Sequence, residues 1–230
     1  MGIETWRERR RVRHEAERRL LFEAYERSKR AGKLVDQLLE RVREQAEDAR
    51  RVELFGTVPR IVGDRVVLDR VVSADEDALR DLIANPNVQR YLPTYLFEKQ
   101  RDDVGQTIRL IYGDLFANKE SLILAIRLRD SGELAGLAEF YGLRDELHKV
   151  SVGYRLREAF WGRGLATETA ELMVGYLYEK TDIQIVTASV MVENPASARV
   201  LEKCGFIRTA RGVEEDWGFE APVIVDKFFC

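Results

Sequence analysis

The sequence predicts an α+β fold: one mostly antiparallel central sheet flanked by helices, with a helical hairpin added before it. Three observations predict it. Alternating apolar and polar runs, the period of a half-buried strand, recur from residue 65 to the end of the chain. Runs with apolar residues at helical spacing interrupt them, in an order that fits helices packed on a strand meander and its closing strands. The residues before 54 are helical in pattern and rich in charge, and they contain no proline.

Residues 3–29 read as a first helix, with Leu20, Leu21, Ala24 and Tyr25 at helical spacing and no Pro or Gly between the ends. Ala31-Gly32 breaks it. Residues 33–53 give a second helix, on which Leu34, Val35, Leu38, Leu39, Val42, Ala46 and Ala49 form one apolar stripe. Such a hairpin needs cover for its apolar face, from the rest of the chain or from a second copy in a homodimer. The chain therefore divides into a helical extension at 1–54 and a main domain at 55–230, with Gly56, Pro59 and Gly63 in the loop between them.

Residues 65–72 alternate as a strand, and 75–84 follow as a helix with Ser73 as its expected N-cap. Asn85-Pro86-Asn87 opens a stretch of turn formers and aromatic rings that runs to Phe97, and an amphipathic helix spans 102–118. Strands at 121–128 and 133–142 flank the polar turn Arg129-Asp130-Ser131-Gly132. The charged turn Arg144-Asp145-Glu146 leads to a strand at 149–156. A helix at 165–180 follows, and strands at 183–191, 206–213 and 223–229 close the domain.

At 230 residues and 45 % apolar content the chain suits one domain with an appendage and a sizeable core. No apolar run approaches the roughly 18 to 20 residues that a membrane helix needs, so a cytoplasmic protein is expected. Two cysteines and two histidines, without metal-ligand spacing, give neither a disulfide framework nor a metal site. Residues 1–52 carry 15 Lys/Arg against 11 Asp/Glu, and the remainder 22 against 29, so the net charge of −3 hides an acidic body. That body argues against general nucleic-acid binding and is compatible with a cationic amine as partner. The only basic cluster, Arg7 to Arg13, reads as a solvated helix face laced with Glu, although a nucleic-acid contact would use the same residues.

The most informative stretch is Phe160-Trp161-Gly162-Arg163-Gly164-Leu165-Ala166-Thr167-Glu168, between a strand and a long helix. Glycine takes φ > 0 freely and has no Cβ to hold a ligand away, so Gly162 and Gly164 can expose successive main-chain N–H groups. With the positive end of the helix dipole these donors make a seat for phosphate, and Arg163 adds charge at the rim. An ordinary tight strand-to-helix turn would use the same glycines. Glu139 stands out in the apolar run Leu134 to Tyr141, because a carboxylate there is costly unless it is paired or at work. The other reading of Glu139 faces it to water from a half-exposed strand. Downstream, Asn194-Pro195-Ala196-Ser197 precedes Glu202-Lys203-Cys204-Gly205-Phe206.

Together these stretches resemble the GNAT superfamily of acyl-CoA-dependent N-acyltransferases. Gly164 and Ala166 match the last two fixed positions of its Arg/Gln-x-x-Gly-x-Gly/Ala pyrophosphate loop. The Trp-Gly-Arg-Gly-Leu-Ala-Thr-Glu variant, with Asn-x-x-Ser and Glu-Lys-x-Gly-Phe, looks most like the RimJ/RimL branch and covers roughly 63–229. The resemblance implies acetyl-CoA as cofactor and direct transfer to a primary amine acceptor, either a protein N-terminus or a small molecule. It implies cofactor contacts from Tyr154, Leu156, Trp161, Gly162, Arg163, Gly164, Leu165, Ala166, Thr167 and Asn194. Trp161 would pack under the loop where many members carry Arg or Gln, and Asn194 would serve equally as an N-cap for the helix after it.

Glu139 lies on the strand where the branch places its general base, with His148 as the runner-up. A main-chain N–H of the strand ending Gly153-Tyr154-Arg155-Leu156 would stabilise the oxyanion, with Gly153 as a bulge former. Leu201 stands where many members carry the Tyr that protonates the thiolate, which leaves Ser197 or solvent for that task. The acceptor pocket would be bordered by Tyr91, Tyr95 and Phe97 and by the loop Glu214-Glu215-Asp216-Trp217-Gly218. Cys204 sits in an apolar helix setting that would raise its pKa, and is not expected to be a nucleophile. A second function class stays open, a non-catalytic acyl-CoA sensor whose hairpin recruits a partner.

Overall fold

The computed structural model describes residues 51–91, 103–218 and 221–230, together with three isolated helical positions, Ala16, Arg19 and Leu20. The expected hairpin lies almost wholly outside the described residues, as do Tyr95 and Phe97. Its expected end, 51–53, is not helical. There the Val52 N–H donates to the Lys180 carbonyl at 2.7 Å, and the Glu53 carboxylate pairs with Lys119 at 2.5 Å. Main-chain and charge contacts to the body replace the helical ladder.

Eight strands form one sheet: β1 (Ile61–Val62), β2 (Val66–Asp69), β3 (Ser121–Leu128), β4 (Leu134–Arg144), β5 (Lys149–Leu156), β6 (Ile185–Met191), β7 (Ile207–Glu215) and β8 (Val223–Phe229). Their order across the sheet is β1-β2-β3-β4-β5-β6-β8-β7. Every neighbouring pair is antiparallel except β5 with β6. The helices are α1 (Glu76–Ala84), α2 (Pro86–Gln89), α3 (Val104–Leu110, continued as a π-turn over Ile111–Leu115), α4 (Leu165–Lys180) and α5 (Pro195–Lys203).

The two faces of the sheet are covered by different helices. On one, Val66, Leu68, Leu122, Leu124, Phe140, Val152 and Val186 pack against Leu165, Met173, Val174 and Leu177 of α4 and Leu201 of α5. On the other, Ile123, Ala125 and Leu137 meet Leu79, Leu82 and Ile83 of α1 and Val104, Ile108 and Ile111 of α3. Burying a side chain of this size contributes about 1.5–3 kcal/mol, so each layer is held by many such terms. Because side chains alternate along a strand, these clusters also assign Glu139 to the α1/α3 face and Tyr154 to the α4/α5 face.

The parallel pair positions the site. β5 and β6 are paired only over Lys149–Ser151 and Ile185–Thr187, and beyond that the strands part. The His148 carbonyl accepts from Ile185 on the β6 side, whereas the Arg157 N–H donates to Ala135 on the β4 side. Successive residues of a strand point their main-chain groups to alternate edges. The Val152 N–H completes the Ser151↔Thr187 pairing with β6, the N–H of Tyr154 faces the gap beyond it, and that of Gly153 faces β4.

Several local expectations change. β1 falls inside the expected loop. Ser73 is not an N-cap: it lies in a short 3₁₀ turn, Ser73–Asp75, where the Asp75 carboxylate reaches back to the Val72 N–H at 2.8 Å. Gly153 is not a bulge, since the β4/β5 register runs unbroken from Gly136↔Leu156 to Tyr141↔Ser151. The irregularity lies between Tyr141 and Arg144, where Gly142 takes φ +61°. Glu214 and Glu215 belong to β7, so the acidic loop begins at Asp216.

Candidate active site

Two adjoining cavities open where β5 and β6 part. The first, about 400 Å³, is walled by Tyr154 and Leu156 of β5, by Trp161, Gly162, Gly164, Leu165, Ala166 and Thr167 of the loop and the start of α4, and by Asn194 and Ser197 at the start of α5. Gly162 and Gly164 have φ of +69° and +76°, the left-handed region that glycine enters at no steric cost. Gly164 is the residue from which α4 starts, so its turn presents free N–H donors of a 16-residue helix to this cavity. Main-chain donors thus line one end of the cavity, and the rest combines apolar side chains with Arg155, Arg199 and Lys203.

The second cavity, about 350 Å³, shares Tyr91, Tyr154, Asn194 and Ser197 with the first. It adds Glu139, Tyr141, Met191, Leu201, Asp216 and Trp217. Glu139 is half-buried, and its Oε1 accepts from the Ser121 hydroxyl at 2.5 Å. Burial, with the Glu139 charge adding, pushes the Tyr141 phenol up to about 12. Trp217 is fixed by its Nε1 donating to Glu215 at 2.9 Å, and Glu215 is itself paired with Lys227. Among the described residues, Glu139 and Asp216 are the charged groups lining this space.

The boundary between the cavities is a hydroxyl pair. The Tyr154 hydroxyl lies 3.2 Å from Ser197 Oγ and 3.4 Å from the Ser197 carbonyl. Burial drives the Tyr154 pKa well above the ordinary phenol value, against the opposing effect of the Ser197 bond, so Tyr154 stays a neutral donor. Ser197 is oriented from its other side by Asn194, whose Oδ1 accepts the Ser197 N–H at 3.1 Å. Asn194 thus is the N-cap of α5, and it lines both cavities at once.

Residues 65–207 match the profile of the Acetyltransferase (GNAT) domain. The chain belongs to the GNAT acetyltransferase family. Among curated proteins, this acetyltransferase is 29 % identical over 150 residues to the uncharacterized N-acetyltransferase YoaA of Bacillus subtilis (strain 168), an alignment that covers 64 % of the chain and 82 % of YoaA. It is 26 % identical over 145 residues to the uncharacterized N-acetyltransferase p20 of Bacillus licheniformis, covering 62 % and 79 %. Among solved structures, RimL, a ribosomal L7/L12 alpha-N-protein acetyltransferase in complex with coenzyme A, superposes with TM-score 0.62 at 20 % identity over 75 % of this chain and 97 % of RimL. Spermidine N-acetyltransferase from Vibrio cholerae, in complex with CoA and spermine, superposes with TM-score 0.60 at 17 % identity over 73 % and 96 %. At these identities the superpositions establish the fold.

Within this GNAT acetyltransferase, the expected cofactor residues converge on the first cavity with one exception. Arg163 does not line it: the guanidinium lies over the Phe160 ring, 5.5 Å from the centroid. Trp161 is part of the wall and is not packed under the loop. It is 44 % exposed, and its Nε1 donates to the Leu156 carbonyl at 2.8 Å. His148 lies elsewhere, in a left-handed turn with Nδ1 2.9 Å from Asp182. Tyr154, expected only as a cofactor contact, also bonds to Ser197. No local signal carries that pairing, because 43 residues separate the two.

Proposed function

We propose that this protein is an acetyl-CoA-dependent N-acetyltransferase for a small primary amine that carries positive charge, working by direct transfer. The observation that carries the reading is the meeting of two cavities across the parted strands: a glycine-framed phosphate seat on one side and a carboxylate-lined, aromatic space on the other. Acetyl-CoA supplies an acetyl thioester. The main-chain donors around Gly162 to Ala166 suit its diphosphate, and Leu156, Trp161 and Asn194 suit its pantetheine arm.

The chain's own residues supply the rest. An alkylammonium has a pKa near 10.4, so at neutral pH almost all acceptor must lose a proton before it attacks. Glu139, on the α1/α3 face and bonded by Ser121, receives that proton directly or through water. The N–H of Tyr154 faces the gap and is available to the negative charge that develops on the acyl oxygen. On the α4/α5 face, Ser197 donates toward the departing sulfur, backed by the Tyr154 hydroxyl. That pair occupies the functional place left by Leu201, whose side chain lines the acceptor cavity without a proton to give.

The acceptor class rests on charge. Glu139 and Asp216 line the space, and among the described residues no Lys, Arg or His does. A second ammonium on the acceptor is stabilised there, whereas an acceptor carboxylate is repelled. The test is thiol release from acetyl-CoA with diamines, polyamines, aminoglycosides and uncharged peptide N-termini. Turnover highest with polycations supports the reading; turnover confined to uncharged peptides contradicts the acceptor class, and silence with every amine contradicts the activity.

The division into an extension at 1–54 and a catalytic domain at 55–230 belongs to the same proposal, with the extension joining two copies as a homodimer. Sedimentation of the full chain decides this, since a monomer at micromolar concentration would remove the dimer. Among the described residues no helix is long and apolar enough to cross a membrane, and we place the enzyme in the cytoplasm.

A further inference from the structure

Arg65, at the threshold of β2, reaches the loop from the side opposite the cofactor cavity. Its Nε donates to Glu168 Oε2 at 2.7 Å, its Nη1 to the Arg163 carbonyl at 2.8 Å, and its Nη2 to the Gly164 carbonyl at 3.3 Å. Glu168 is the brace for this arrangement. Its Oε1 accepts the main-chain N–H groups of Arg65 and Val66, at 2.7 and 3.2 Å, while its side chain is only 12 % exposed. One carboxylate in the first turn of α4 therefore fixes both the backbone and the guanidinium of Arg65.

The consequence follows from peptide geometry. A trans peptide unit is planar, and its C=O and N–H point in opposite directions. The Arg163 carbonyl shares a unit with the Gly164 N–H, and the Gly164 carbonyl with the Leu165 N–H. No cis bond intervenes. Holding both carbonyls toward Arg65 turns both N–H groups away from it. Gly164 and Leu165 line the 400 Å³ cavity, whereas Arg65 lines a neighbouring groove with Asp64, Glu171 and Leu172, which Gly164 and Thr167 also border.

We propose that Arg65 is a positioning residue for cofactor binding: braced by Glu168, it sets the Arg163–Gly164 peptide plane and reinforces the Gly164–Leu165 plane, so that the Gly164 and Leu165 N–H groups are aimed at the diphosphate. Arg65 acts through the main chain and does not itself touch the cofactor. The Gly164 carbonyl also accepts the first bond of α4 from the Glu168 N–H at 3.2 Å, so Arg65 reinforces that plane and holds the Arg163–Gly164 plane, which lies outside the helix. The inference rests on the proposed binding of acetyl-CoA at this loop.

The test is calorimetry of coenzyme A with the full-length Arg65→Ala protein, beside kinetics with acetyl-CoA and with acetyl-pantetheine, which has no diphosphate. Loss of two charge-assisted bonds to the loop is expected to weaken coenzyme A about tenfold and to raise KM for acetyl-CoA to match, with kcat nearly unchanged. The kcat/KM for acetyl-pantetheine should stay within about twofold, which a general loss of fold would not allow. Arg65→Lys, able to hold one carbonyl but not two, should fall between. If Arg65→Ala does not fold, Arg65→Lys and Glu168→Gln carry the same comparison. Unchanged coenzyme A affinity in a folded variant, or equal damage with both donors, overturns the inference. Failure of the wild-type protein to bind coenzyme A would instead overturn the underlying reading of the site.

Discussion

Gly164→Ala probes the loop with a single methyl group. At φ +76° an L-residue other than glycine is strained, by about 1–2 kcal/mol. Stiffening of the unfolded chain offsets about 0.4–1 kcal/mol of that. The net is close to 1 kcal/mol of destabilisation, or about 2–4 °C in Tm for a chain of this size. The new Cβ would stand 3.4 Å from Arg65 Nη2 and 3.7 Å from Nη1, on the side of the loop away from the cavity. These are ordinary van der Waals distances, so the methyl fits beside the guanidinium that holds the loop carbonyls, and coenzyme A affinity should change by less than about threefold. Thermal melts and calorimetry read the two effects separately. Gly164→Asn is the control: asparagine tolerates the left-handed region far better, so it should recover most of the lost Tm. An unchanged Tm in Gly164→Ala, or an Asn variant as damaged as Ala, would refute the assignment of strain to this position.

Further outcomes are expected. Glu139→Gln keeps the shape of the site and removes the base, so kcat/KM at neutral pH should drop about 100-fold, with the deficit narrowing toward pH 10 as the amine deprotonates unaided; a change under about threefold, with coenzyme A binding intact, would remove Glu139 from the mechanism. Ser197→Ala and Tyr154→Phe should each lower kcat about tenfold, and because the two hydroxyls act as a pair the double variant should be little worse than either; additive losses would argue against a pair. Tyr112 accepts the Val71 N–H at 2.7 Å and donates to the Ile123 carbonyl at 2.8 Å, and Tyr112→Phe should cost about 1–3 kcal/mol in denaturant melts at pH 8. Burial pushes the Tyr112 phenol up to about 12, above its ordinary 10.0. Its folded form holds the proton more tightly, so its contribution is complete below pH 10 and is lost between about pH 10 and 12. The phenylalanine variant should lose Tm less steeply than wild type across that window.

How far the sequence reaches depends on whether a feature is local. β3, β5, α4 and β8 begin and end where the sequence places them, β5 by its alternation, α4 by its helical spacing after Gly164, and β3 as a short apolar run bounded by polar segments. The loop at Gly162 and Gly164 was legible for the same reason, since a strand, two glycines and a helix start are adjacent in the chain. β1 was not, as two residues have no period. Gly153 was misread because a glycine in a strand signals a bulge only on average, and here the bulge falls at Gly142. Which edge offers oxyanion donors depends on where β6 leaves β5, a tertiary fact. Arg65 and Glu168 are 103 residues apart, and nothing in either neighbourhood announces the other.

Amide hydrogen exchange of the full-length protein, with and without coenzyme A, tests the central claim most directly. If main-chain donors at the start of α4 grip the diphosphate, then exchange at Gly162, Gly164, Leu165 and Ala166 should slow on adding the cofactor, more than anywhere else among the described residues. Protection confined to other segments, or none at saturating coenzyme A, would contradict the account.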